Sequence, residues 1–243
     1  MKTRVGLVAP FDTQSEEEFL RWAPPGVSLH WTRTPFKDGP ISVELAAATA
    51  DLEDLAVGVR SLTKIEPAVV TFACTSGSFV NGVAGERILR ETMLAAGAQR
   101  AVTTSGGLLE ALEVLGVRRV ALATPYTSDI GDRLVAFVEE AGYEAVSVVN
   151  LELHDGLDIA AVGTSAIEHL ATSAMRPEAE AIFLSCTGLE TFDAIPVLEA
   201  RLGVPVISAI QVTMWATLLA AQVGLPDYPQ TLFQARPARS LAN

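Results

Sequence analysis

Two cysteines, Cys74 and Cys186, are the residues whose type and setting most clearly invite chemistry in this chain. Cys74 closes the apolar run of VVTFACTSGSFVNG (69–82), and Cys186 closes that of AIFLSCTGLETFDA (181–194). Each is followed by Thr and then by a small polar or glycine turn. A cysteine that ends an apolar strand is most often a small buried hydrophobe. Two packing cysteines, however, have no reason to choose matching positions with matching turns, so the pair reads as functional. A thiolate is a base and a nucleophile, and a thiol is an acid. Two sulfurs facing one carbon can therefore remove a proton from one face and deliver one to the other, or add to a carbon and release it. A thiol beside a helix N-terminus has a lowered pKa. The expectation is that thiol and thiolate coexist near neutral pH. The N–H and hydroxyl groups of CTSG and CTGL are then free to hold a carboxylate that becomes enediolate-like in the transition state.

The elements that must position the cysteines follow from the alternation of short β-rich runs with amphipathic segments, the pattern of βαβ units around parallel sheet. Strands are expected at 4–10, 27–33, 68–74 and 101–105. A second set is expected at 118–125, 144–151, 181–186 and 204–209. Helical spacing of apolar residues runs through 44–62, 108–116, 132–142 and 195–203. RVGLVAP begins the first set and RVALATP the second, and each cysteine closes the third strand of its set. This is an internal duplication too long for a solenoid repeat, so two similar α/β lobes are expected. Ligands in such folds gather at the carboxyl ends of the strands, where both cysteines lie.

The bulk properties restrict the partners. The 243 residues are 49% hydrophobic and 19% charged, as in an ordinary globular protein, and the net charge of −12 opposes a nucleic-acid footprint or an anionic membrane surface. The acidic residues of MKTRVGLVAPFDTQSEEEF arrive before a signal-peptide core is complete, and no run reaches transmembrane length. The expectation is a cytoplasmic protein with thiols rather than a disulfide, a small-molecule partner and a symmetric homo-oligomeric state. His30, His154 and His169 are scattered and neither cysteine has a ligand-spaced companion, so no metal site is expected. No glycine pattern supports a nucleotide, and the two-thiol chemistry calls for no cofactor.

The sequence resembles the aspartate/glutamate racemase superfamily. Within it, the similar branch holds maleate cis-trans isomerases, arylmalonate decarboxylases and the racemase-like proteins of ectoine utilisation. The resemblance covers nearly the whole chain and is carried by PPGVSLHWTR, FACTSGS, GVRRVALATPYT and LSCTGLETFDAIPVLEARLGVPVIS. It implies two pseudo-symmetric lobes, each a four-stranded parallel sheet flanked by helices, with the active site between them. Residues 1–105 together with 212–243 would form the N-terminal lobe, with a returning C-terminal helix, and 106–211 the C-terminal lobe.

The resemblance also implies roles. Cys74 and Cys186 match the paired cysteines of the isomerases and racemases, whereas the decarboxylases carry glycine at the first. Thr75, Ser76 and Tyr126 match residues with which the decarboxylases hold a carboxylate, and the CTG turn adds Thr187 and Gly188. Gln14 falls near an Asn that isomerases place after the first strand, and Gly156 replaces a second carboxylate-binding Asn. In a maleate isomerase the first cysteine would add to the double bond to give a succinyl-like adduct free to rotate, with the second as acid/base partner. Racemases would use the pair as opposed bases. A malonate-type decarboxylase and a non-catalytic carboxylate-binding protein are the alternatives.

Other residues have plainer explanations. Glu16, Glu17 and Glu18 read as an acidic first helical turn with Ser15 as N-cap. His30 reads as a structural histidine in its strand, and Trp215 as a helix residue packed on the other lobe.

Overall fold

A computed structural model describes residues 2–235. Two sheets of four parallel strands form the frame. The first orders its strands β2-β1-β3-β4, from β1 (Thr3–Ala9), β2 (Val27–Arg33), β3 (Val69–Phe72) and β4 (Ala101–Thr103). The second repeats that order as β6-β5-β7-β8, from β5 (Arg119–Thr124), β6 (Glu144–Asn150), β7 (Ala181–Leu184) and β8 (Val206–Ser208). All eight expected strands form, and the duplication extends to single hydrogen bonds. The Ala73 N–H donates to Val8 O at 2.8 Å, and the Ser185 N–H donates to Ala123 O at 2.8 Å. Each ladder is thus extended by one residue beyond its central strand, which leaves Cys74 and Cys186 as the first residues off the two sheets.

The central strands are buried because helices cover the sheets on both faces, whereas the edge strands β2 and β6, VSLHWTR and EAVSVVN, are only partly buried. Val69–Phe72 and Ala181–Leu184 are buried at every position. One continuous core runs through both halves, and a second cluster around Val8, Leu55, Val59, Val70, Phe72 and Met93 lies under α3 (Leu52–Thr63) and α5 (Gly82–Ala95). The helical pattern expected over 44–62 is interrupted. It forms α2 (Val43–Thr49) and then α3, because Asp51 turns out of the helix and accepts the N–H groups of Glu53 and Asp54. That N-cap satisfies two orphan donors, which a straight helix through Asp51 would not require.

The last long helix, α11 (Ala209–Ala220), leaves the second sheet after β8 and packs along α6 (Thr104–Leu115) and against β3, β4 and α1 (Glu16–Trp22) of the first half. It is buried at every position from Ala209 to Leu218, Trp215 fully so, as a helix between two layers must be. Its polar residues pair across the seam: Thr213 with Thr104 and Thr217 with Thr71, both at 2.8 Å between hydroxyls. The expected returning segment, 212–243, extends past Ala235, and 236–243 lie outside the described residues. No described helix is long and apolar enough to cross a membrane.

Candidate active site

The carboxyl ends of the four central strands converge on one cavity of about 90 Å³. Pro10 to Gln14 follow β1, Cys74 to Ser76 follow β3, Tyr126 follows β5, and Cys186 to Gly188 follow β7; all of these residues line it. At about 30 Å³ of liquid per water, such a space suits a few waters or one small acid. All eight residues singled out from the sequence, Gln14, Cys74, Thr75, Ser76, Tyr126, Cys186, Thr187 and Gly188, are lining residues, with Gln14 exposed at the rim.

The two thiols are presented differently. Cys74 is the N-cap of α4 (Thr75–Phe79) in extended backbone, and its Sγ accepts the Gly77 N–H at 3.4 Å. A Cβ on Gly77 would stand 2.9 Å from that sulfur, so only glycine leaves the thiol in place. Cys186 starts no helix. It holds φ at 104°, a conformation that costs a non-glycine residue about 1–3 kcal/mol, and its Sγ accepts the Gly188 N–H at 3.3 Å. The strain aims the sulfur into the cavity rather than along the chain.

The loops bearing the thiols are bonded to each other. The Thr187 N–H donates to Thr75 Oγ1 at 3.0 Å, and the Ser15 hydroxyl donates to Thr187 O. Tyr126 is buried at 3% exposure with its ring edge-on to Phe79; its phenol lies near the Cys186 sulfur and Thr75. Ser76 lies near the Cys74 sulfur.

Burial reverses the expected thiol chemistry. It pushes Cys74 up to about 12, with the Gly77 and Ser76 donors opposing it and the charges of Asp12 and Cys186 adding to it. It pushes Cys186 up to about 11, against the lowering effect of the Tyr126 and Gly188 donors. A thiolate enclosed by protein loses much of its hydration, and two or three weak donors to sulfur do not replace it. Both thiols are therefore protonated at rest, in place of the expected mixture of thiol and thiolate.

Ser15 and Glu18 differ from expectation as well. The Ser15 side chain makes no cap bond to α1, because its hydroxyl reaches the other half at Thr187. Glu18 is not a solvated first-turn acid but is buried at 2% exposure. It accepts from the Thr191 N–H, and its Oε1 lies 2.8 Å from the Thr191 hydroxyl, which is 2.7 Å from Ser208 at the N-cap of α11. Desolvation pushes Glu18 up to about 7 despite those donors. His30 pairs with Ser28 at 3.0 Å, and His154 and His169 are exposed. Among the described residues no three His, Cys, Asp or Glu side chains gather as metal ligands.

Asp12, Ile41, Leu45, Thr49 and Ile159 also line the cavity and were not singled out by motif. The only sequence signal for Asp12 is its place just past the end of β1. Gly156 lines the wall opposite, where a Cβ would stand 3.0 Å from Asp12 Oδ2.

Two equivalent parallel-sheet lobes with a thiol from each in a common cavity define a two-lobed α/β protein with a cysteine-lined interlobe site. The chain belongs to the arylmalonate decarboxylase family, whose model matches residues 45–231. It is 37% identical to the arylmalonate decarboxylase of Bordetella bronchiseptica over 182 residues, 74% of this chain and 76% of that one. It is 28% identical to the maleate isomerase of Nocardia farcinica over 243 residues, 95% of this chain and 96% of that one. In three dimensions it is similar to a cysteine-to-serine mutant of the Nocardia farcinica maleate cis-trans isomerase with a covalently bound succinylcysteine intermediate. The TM-score is 0.85 at 24% identity, over 97% of this chain and 100% of that chain.

Proposed function

We propose that this chain is a cofactor-independent isomerase of a small carboxylic acid, similar to the maleate cis-trans isomerases, working through Cys74 and Cys186. The observation that carries the reading is the presence of both thiols in the wall of one cavity, each raised partly by charge within it. The α4 loop, with Thr75 and Ser76, and the Tyr126 phenol hold the substrate carboxylate; Thr187 and Gly188 shape the opposite wall, and Gln14 closes the rim.

The steps balance within the pair. Cys74 sulfur bonds to one alkene carbon as the π bond breaks, and Cys186 gives its proton to the other carbon. The proton lost by Cys74 passes to Cys186, so that one S–H has added across the double bond and no net proton is taken from solvent. The single bond rotates and the steps reverse: Cys186 takes the proton back from carbon as its own proton passes to the departing Cys74 sulfur, and the C–S bond breaks to release the trans acid and two neutral thiols. Because both thiols rest in the neutral form, addition of a neutral S–H suits the site better than attack by a standing thiolate. The Nocardia farcinica isomerase, which carries the succinylcysteine, is an example of such an adduct.

Maleate in deuterated water supplies the test. Formation of fumarate by the wild type and its loss in both Cys74→Ala and Cys186→Ala are expected. Absence of turnover across maleate and chiral amino and 2-aryl acids would refute the reading. The 37% identity to an arylmalonate decarboxylase favours a second reading, a malonate-type decarboxylase in which Cys186 protonates the enediolate. Carbon dioxide release that survives Cys74→Gly but not Cys186→Ala would select it. A symmetric homo-oligomer in the cytoplasm belongs to the same proposal and is checked by light scattering and cell fractionation.

A further inference from the structure

The two cysteine loops are built in unequal ways. The Cys74 loop is held by its own helix: the Gly77 N–H donates to the sulfur, the Ser78 N–H donates to Cys74 O at 3.2 Å, and the Ser78 hydroxyl donates to Thr75 O at 2.9 Å. Cys186 starts no helix, and its φ of 104° is one that a non-glycine residue keeps only while its surroundings fix it. From Thr187 to Thr191 its loop is anchored across the seam. The Thr187 N–H donates to Thr75 Oγ1 at 3.0 Å, the Ser15 hydroxyl donates to Thr187 O, and Glu18 accepts the Thr191 N–H. Ser15 and Glu18 lie one helical turn apart at the start of α1, both buried, and grip the loop on the residue next to Cys186 and again at Thr191. Glu18 grips by hydrogen bonding rather than by charge. Among the described residues no salt bridge reaches it, and Arg21, one turn on, is bonded through both terminal nitrogens to Asp193.

We infer that Ser15 and Glu18 are positioning residues for Cys186: α1 of the first half holds the strained loop of the second so that this sulfur faces the cavity. Neither side chain lines the cavity, so their influence on the chemistry passes through the loop. Released from α1, residue 186 relaxes out of the left-handed region and the sulfur leaves its place. Displacement of a catalytic group by about 1 Å costs on the order of a hundredfold in rate. Cys186 carries the proton to carbon in both the isomerase and the decarboxylase reading. The inference rests on those readings for its effect on turnover, whereas its effect on the thiol stands without them. Cys74, fixed by α4, is independent of both side chains.

The test compares wild type with Ser15→Ala, Glu18→Ala and Glu18→Gln, each checked for folding by circular dichroism. Each is labelled with methyl methanethiosulfonate at pH 7, and the rate at each cysteine is read by mass spectrometry. A loosened loop admits water and reagent to the Cys186 sulfur, so in the two alanine variants its rate should rise by about fivefold or more, with Cys74 within about twofold of wild type. Glu18→Gln keeps an acceptor for the Thr191 N–H and should stay within about twofold at both thiols. An equal rise at both cysteines, the mark of a merely structural role, would overturn the inference. So would an unchanged Cys186 rate in a folded alanine variant, or a rise in Glu18→Gln as large as in Glu18→Ala. Should Glu18→Ala fail to fold, Ser15→Ala decides by the same criterion. With maleate, the alanine variants should lose about tenfold or more in kcat at a KM within about twofold, because Thr75, Ser76 and Tyr126 still hold the carboxylate; a KM rise at unchanged kcat would count against the inference. A wild type that turns over nothing, with the labelling as expected, would remove the isomerase and leave the positioning of Cys186 standing. Fumarate formation with unchanged labelling would do the reverse.

Discussion

The reactivity of the two thiols is the most direct measure of whether desolvation or helix N-terminal donors govern this site. Burial sets Cys74 at about 12, whereas a free cysteine titrates near 8.5. At pH 8 the buried thiol is thus thiolate about one part in ten thousand, against about a quarter for a free one. A thiolate of higher pKa is the better nucleophile, and a Brønsted slope of about 0.5 restores roughly fiftyfold of the difference. Exchange with a small aromatic disulfide, followed by thione absorbance, should then run roughly fortyfold slower than for glutathione at pH 8 before any loss from limited access. The cleaner quantity is the pH profile. With Cys186→Ala isolating Cys74, and Cys74→Ala isolating Cys186, the logarithm of the rate should rise about one unit per pH unit from 7 to 10 without levelling. A plateau below pH 9 for either variant would mean that the loop N–H groups and hydroxyls outweigh burial. The neutral-thiol addition would then give way to attack by a resting thiolate.

Two further outcomes follow from the contacts between the halves. Glu18, raised from 4.5 to about 7, binds its proton more tightly folded than unfolded; its contribution is complete below about pH 4.5 and is lost as the pH rises through 7. At 1.36 kcal/mol per pKa unit this is about 3 kcal/mol, so Glu18→Gln should flatten the fall in urea midpoint between pH 4.5 and 7.5, and an unaltered slope would contradict the burial of this acid. Thr75→Val deletes the acceptor of the buried Thr187 N–H and should lower unfolding stability by about 1–3 kcal/mol in chemical denaturation, whereas Ser76→Ala, at a partly exposed neighbour, should lower it by under about 1 kcal/mol.

Much of this molecule was legible along the chain, because strand and helix are written in local periodicity. Val69–Phe72 and Ala181–Leu184 announce fully buried strands, RVGLVAP and RVALATP announce the duplication, and the residues after each third strand announce the wall of the cavity. The break at Asp51 was hidden, since the apolar spacing of 44–62 runs through it and only the cap geometry reveals it. What lies between the halves was hidden as well. Ser15 reads locally as a helix cap and Glu18 as a solvated acid until Thr187 and Thr191, more than 170 residues away, are brought against them. The same holds for the chemistry. Sequence placed each thiol at the end of a strand and beside N–H donors, whereas the pKa of each is set by how completely the opposite half excludes water. Spacing cannot carry that information, because desolvation sums over every atom packed around the sulfur. Asp12 likewise has no motif of its own, and it becomes an element of the site only where the fold leaves Gly156 opposite it.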